Sequence, residues 1–564
     1  MAGISALALT MAAAMAAAPV LAQTTTSTTT GTVAGTAVGT SMGAIAGARG
    51  LRGGLNDLTL TVSPFAQAVA EAAGEEAGIS AFYRDRDYAP IWTGPDDADR
   101  RAALLSALAR AAEHGLPVSR YDPQALIAAF HAVRSERDRG LLEVEMSRVF
   151  LLYGRDLTSG LLDPARLSPD HFKRTLPRPE PEALLAAIAD GPPAAVLRGL
   201  VPVAPEYARL MRARAMMQDQ IDRGGWGPQV TANALRPGDT GAEVVALRNR
   251  LIAMGYLDRS ATATYDTAIE GAVTRFQIAH GLPADGVAGR ATITAINVAP
   301  EERMKSILVA LERERWLNIP RGERHIWVNL TDFSSRIVDR DRVTFETVSI
   351  IGERRSELQT PEFSDMMTYM EINPDWTIPR SIVGRSYLAA LQANPYAHGQ
   401  LQVIDGAGRV VPRDRIDFTA YSARTMPFNL RQPPGPSNPL GKVKFMFPNP
   451  WAIYLHDTPT RSLFNTEVLA HSNGCIRLQD PEEFAHVLLA AQTDDPEGKF
   501  HRIWRSGQQT RVYLDNPVPV HLVYRTAFTD TRGALNFRPD VYRRDAMLYD
   551  ALMRAGVAFD RPGS

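Results

Sequence analysis

The chain holds one thiol, Cys475, among 564 residues. A thiolate attacks carbonyl carbon well, but a free thiol needs a base or a positive neighbour to ionise near neutral pH. His456 precedes it by 19 residues, a separation that lets a strand, a connection and a return bring imidazole and sulfur together. Gly474, directly before the cysteine, permits close backbone approach and unusual dihedral angles. The N–H groups of such a turn can stabilise an oxyanion. A single cysteine forms neither an intrachain disulfide nor a multi-cysteine zinc site. It is either buried and inert or kept for chemistry. With eleven histidines in the chain, one Cys–His pair does not by itself decide between these. No His, Asp or Glu spacing reads as a zinc site, and no cofactor is expected.

The elements that must position these residues are β-rich. Ile326, Val328 and Leu330 alternate as in a strand, and such patterning runs over residues 325–525. Residues 385–438 interrupt it with a helix from Ser386 to Gln392, a glycine turn near Gly406 and the run Pro433-Pro434-Gly435-Pro436. This reads as an insertion, a lid over the site. Upstream, residues 299–324 form a linking helix. Residues 235–298 form three short helices, the first carrying Val244, Leu247, Leu251 and Met254, the second Ile269, Ala272, Val273 and Phe276. Residues 76–225 are helical: Met146, Val149, Phe150, Tyr153 and Leu157 share one helix face. Residues 526–564 form a tail with a surface helix near Arg543 to Arg554. The expected fold class is multidomain α+β.

The N-terminal residues 1–22 read as an export signal, apolar from Ile4 to Ala18 with small residues before Gln23. No Lys or Arg precedes the apolar stretch. Residues 23–75, rich in Thr, Gly and Ala up to Gly54, read as a flexible linker. Sixty-one basic and 62 acidic residues leave a net charge of −1. That gives no basic field to hold nucleic acid. No later apolar run approaches ~20 residues, so no mature membrane span is expected.

Longer stretches carry a family resemblance. Ile453-Tyr454-Leu455-His456-Asp457-Thr458-Pro459, followed by Ser472-Asn473-Gly474-Cys475-Ile476-Arg477, resembles the catalytic motif of the L,D-transpeptidases, the YkuD-type domain. Asn473 stands where many members have histidine. The larger Gram-negative members accept a small polar residue there, which removes a second imidazole from the expectation and leaves the nucleophile in place. Thr360-Pro361 with Asn373-Pro374-x-Trp376-x-Ile378-Pro379, and Pro439-Leu440-Gly441-Lys442-Val443-Lys444-Phe445, look like the segments preceding the site. Gly238-x-x-Gly241-x-x-Val244 and Gly281-Leu282-x-x-Asp285-Gly286 resemble a peptidoglycan-binding module. The order of helical scaffold, wall-binding module and catalytic domain with inserted lid is that of the large periplasmic L,D-transpeptidases.

The resemblance implies roles. Cys475 is the nucleophile and His456 its base, oriented by the backbone carbonyl of Asp457, whose side chain points to the other strand face. N–H groups near Gly474 and Cys475 are the oxyanion donors. Tyr454 and Trp376 line the pocket, Arg477 holds a carboxylate, and Ser472 and Asn473 contact substrate. Each has a plainer reading: core aromatics for Tyr454 and Trp376, a structural ion pair for Arg477. The implied reaction joins peptidoglycan stems in 3→3 cross-links with release of D-alanine. L,D-carboxypeptidase or wall-protein amidase activity, or a non-catalytic wall scaffold, are the alternatives. The partners are stem peptides and glycan, the place is the periplasm, and carbapenems are the implied inhibitors.

Overall fold

The computed structural model describes residues Val62 to Phe559. The expected export signal lies outside them. The helical part begins with Pro64–Ala73, inside the stretch expected to be a linker. Ser63 caps it, its Oγ accepting the Ala66 N–H at 3.1 Å. Phe65, Ala68, Val69 and Ala73 face the core, so the apolar spacing and the cap together make a helix where composition alone predicted none. Nine helices from Pro64 to Asp222 enclose that core. Next come Ala242–Ala253, Thr267–Ala279 and Arg290–Ile296, which bury their own cluster around Leu247, Val273 and Phe276.

Helix Pro300–Trp316 is more than a link. Proline at its first turn, Glu301 and Glu302 near its start and Arg313 and Arg315 near its end all favour helix there. Its last turns are buried charges included, with Glu312, Arg313, Glu314 and Arg315 at most 3 % exposed. The tail packs on it. Leu548, Tyr549 and Leu552 of helix Arg544–Arg554 join the same core as the N-terminal helices. The expected surface helix is therefore a buried one, its apolar residues hidden between charges that are themselves paired.

The β-rich part has strands β1 (Arg324–Asn329), β2 (Ser334–Asp339), β3 (Arg342–Gly352), β4 (Phe363–Ile372), β5 (Trp376–Thr377), β6 (Gln402–Ile404) and β7 (Asn429–Gln432). They are followed by β8 (Val443–Met446), β9 (Leu455–His456), β10 (Ala470–Ser472), β11 (Ile476–Leu478), β12 (Thr510–Val523), β13 (Ala527–Thr529) and β14 (Leu535–Phe537). Nine form one sheet, β10-β3-β11-β9-β8-β4-β12-β1-β2. A further β2–β3 pairing closes eight of them on themselves, with β10 attached to β3 outside the ring. β5, β7 and β6 form a separate small sheet. It carries its own core from Trp376 to Leu440, so the inserted unit is wider than 385–438. β13 and β14 form a hairpin.

Candidate active site

The sheet register sets out a row of polar residues. Arg477 pairs with His456, His456 with Lys444, Lys444 with Glu371 and Glu371 with Arg511. Residues paired across adjacent strands point to the same face, so five side chains from five strands form one polar stripe. Glu371 sits between two cations, 2.6 Å from Lys444 and 2.9 Å from Arg511. Arg477, at the far end, has no carboxylate partner among the described residues. It is half-buried and its Nε has no hydrogen-bond partner. Burial lowers its pKa. The ion-pair reading of Arg477 is therefore set aside.

His456 is 4 % exposed. Its Nδ1 lies 2.5 Å from the Asp457 carbonyl oxygen. A carbonyl only accepts, so Nδ1 carries the proton and Nε2 is left as the basic nitrogen. The Asp457 carboxylate is engaged elsewhere, accepting the Lys442 and Thr458 N–H groups. Burial, with Arg477 and Lys444 in register on either side, pushes the His456 pKa down to about 3.

Cys475 ends the turn between β10 and β11. Gly474 has φ +115, a conformation that residues with a Cβ rarely adopt. The Ser472 hydroxyl donates to the Cys475 carbonyl at 2.5 Å and accepts the Gly474 N–H at 3.0 Å. Ser472 is buried and thus shapes the turn rather than facing a ligand. The Gly474 N–H is also spent, whereas the Cys475 N–H has no acceptor among the described residues. Asn473 is exposed beside it. From below, Thr360 donates to the Gly474 carbonyl at 2.8 Å and Arg544 donates to the Thr360 carbonyl at 2.8 Å. The C-terminal helix thereby supports the cysteine turn, a link that sequence patterning gave no sign of.

The sulfur contacts the Ala452 carbonyl at 3.5 Å and the Tyr454 hydroxyl, not the imidazole. Burial raises its pKa to about 11, against the opposing pull of Tyr454, Arg477 and Lys444. At pH 7 both thiol and imidazole are neutral in this state. Tyr454 also bonds to Trp376 and packs against both the catalytic core and the core of the inserted unit. Trp376 is 9 % exposed. Trp376 is thus a core residue of the insertion, and Tyr454 a half-buried one at the seam between the insertion and the cysteine. His471 is held by Thr466 at 2.8 Å. Among the described residues no group of three or more His, Cys, Asp or Glu is placed to hold a metal ion, and no helix is long and apolar enough to cross a membrane.

Residues 323–514 match the family model of the L,D-transpeptidase catalytic domain. The match takes in β1 to β11 and the first part of β12. Residues 77–213 match a scaffold domain and residues 240–296 a "Putative peptidoglycan binding domain". The chain is 28% identical over 242 residues to a Haemophilus influenzae protein named "Putative L,D-transpeptidase", which covers 43% of this chain and 48% of that protein. The chain thus spans about half the length of this curated relative. Two crystal structures of L,D-transpeptidases are also similar. One is from Xylanimonas cellulosilytica, with 18% identity, 53% of this chain and 98% of that chain covered, and TM-score 0.16. The other is from Stackebrandtia nassauensis, with 14%, 53%, 97% and 0.19 respectively. In the β-rich domain the expected motif residues Tyr454, His456, Cys475 and Arg477 lie on or beside the adjacent strands β9 and β11. Lys444 lies within a motif that implies no role for it, and Glu371 and Arg511 lie outside every motif. Only the strand register brings them into line.

Proposed function

We propose that this L,D-transpeptidase domain forms 3→3 peptidoglycan cross-links through a thioester on Cys475, outside the cytoplasm and in the periplasm. The observation that carries this reading is the half-buried Arg477 without a carboxylate partner, next to a thiol and to a histidine whose Nε2 is free to accept a proton. A buried cation left unpaired is costly, and a donor stem that brings a carboxylate removes that cost. It also removes the positive field that depresses His456, so the donor itself makes the imidazole a better base. Nε2 then takes the Cys475 proton. The sulfur attacks the carbonyl of the third stem residue, and the oxyanion is held by the Cys475 N–H. His456 returns the proton to the leaving D-alanine amine. A side-chain amine of a neighbouring stem attacks the thioester, gives its proton to His456 and frees the thiol. The inserted unit over Tyr454 excludes water from the thioester. The same sulfur opens the strained ring of a carbapenem, forming a lasting thioester. Residues 240–296 hold the enzyme on its polymeric substrate.

Purified protein incubated with disaccharide-tetrapeptide should give a dimer short of one D-alanine by mass spectrometry. Tripeptide monomer as the sole product would assign water as the acceptor. No product at all would leave only wall binding.

A further inference from the structure

A cavity of about 880 Å³ lies where three parts of the chain meet. Helix Pro205–Asp222 supplies one wall, the module helices Ala242–Ala253 and Thr267–Ala279 a second, and the β13–β14 hairpin after the catalytic domain a third. Its aromatic floor is built from two of these parts. Phe276 stacks on His280 with ring centroids 3.8 Å apart, and His280 on Phe537 at 5.6 Å. At the rim Met216 and Ile278 are 71% and 58% exposed, an apolar surface that solvent alone does not favour.

The charge of this cavity is one-sided. Arg212, Arg275 and Arg532 are exposed, one from each of the three walls, and Arg303 reaches in from below, over the Phe537 ring at 4.5 Å. None of the four has a carboxylate partner among the described residues. Arg275 and Arg303 donate only to backbone carbonyls, those of Tyr256 and Ala295. The acid in the lining, Asp530, is occupied by N–H groups of its own hairpin turn. Guanidinium groups take carboxylates in forked pairs, and aromatic faces take aliphatic chain between them.

We infer that this composite groove binds the carboxylate-bearing stem peptide of peptidoglycan, and that wall binding belongs to three parts of the chain together rather than to residues 240–296 alone. The inference rests on the peptidoglycan reading above and deepens it. The groove holds an uncleaved stem beside the catalytic domain, because one of its walls follows directly from β12, the strand next to β4 in the catalytic sheet.

The test uses the full chain with Cys475→Ala, so that no covalent capture occurs, and measures retention on sacculi. Three arms are compared: native sacculi, sacculi whose carboxyls are converted to amides, and glycan strands stripped of stems. Arg212→Glu with Arg532→Glu changes only residues outside the module, and Arg275→Glu changes the module itself. All three sites are exposed, and the melting transition monitors folding. Both variants should bind native sacculi about tenfold more weakly, the equivalent of one charge-assisted hydrogen bond. Amidation should weaken the parent by a similar factor, and stripped strands should not bind. Parent-like binding by Arg212→Glu with Arg532→Glu, while Arg275→Glu fails, overturns the groove and leaves the module as the binder. Equal binding to stripped strands overturns the carboxylate assignment. A parent that binds no sacculi overturns the peptidoglycan reading itself.

Discussion

Arg477 and Arg544 are both arginines drawn out of water, and the fold treats them in opposite ways. Arg544, with its side chain 1 % exposed, reaches Glu362 at 3.2 Å and donates to the Gln359 side chain and the Thr360 carbonyl. Glu362 in turn faces Arg313, which contacts Asp545. Nearby, Arg525 bridges Glu206 and Glu314. Every charge in this lattice has an opposite neighbour, and the lattice ties the helical part, the β-rich part and the tail together. Arg477 has none. Desolvated charges are kept either by pairing or by a ligand that completes the pair. The lattice therefore serves cohesion, and the proposed role of Arg477 is to take the carboxylate of a donor.

The largest effect should come from breaking the lattice. Glu362→Ala takes the carboxylate from Arg544 and leaves Arg313 with Asp545 alone, and should destabilise the fold by about 3–5 kcal/mol, read from denaturant unfolding. A loss under 1 kcal/mol would mean that water already screens these groups. The same kind of change in the pocket should have the opposite signature. Arg477→Met should leave the melting temperature unchanged or higher, while kcat/KM for tetrapeptide donor falls about a hundredfold, near the value of one charged hydrogen bond plus its field on the base. Arg477→Lys should recover part of the loss. A fall in stability with activity kept would reverse the assignment.

How much of this was legible in the sequence follows from the range over which each feature acts. Cys475, His456 and Gly474 were visible because their motif is local, and the helix and strand periods were visible because each repeats within a few residues. The stripe from Arg477 to Arg511 was not, since its members lie up to 140 residues apart and only strand register aligns them. The tail helix looked exposed because Arg544 and Asp545 read as surface charges. Their partners Glu362 and Arg313 are far away in sequence. Pro64–Ala73 looked like linker because alanine-rich composition hides a buried face until the helix it packs against, Glu136–Ser159, is known. Ser472 looked like a substrate contact because it adjoins Cys475, yet both its hydrogen bonds fold the turn.

A smaller effect separates the two regions by pH. His456 is neutral in the folded chain because its pKa lies at about 3, whereas in the unfolded chain it titrates near ~6.5. Between these values the unfolded state binds the extra proton, so stability falls as the pH drops below ~6.5, by at most about 1.4 kcal/mol per pH unit for this one group. His456→Gln should flatten the pH dependence of unfolding by that amount between pH ~6 and ~4. No change in slope would mean that the imidazole is hydrated or already charged.

The central claim is that Cys475 carries the acyl group. Intact-protein mass spectrometry after mixing with disaccharide-tetrapeptide, in the absence of an acceptor stem, should show one adduct equal to the donor less D-alanine. The adduct should map to Cys475 and be absent from Cys475→Ala. An adduct that keeps D-alanine, one that maps to another residue, or full turnover by Cys475→Ala would contradict the account.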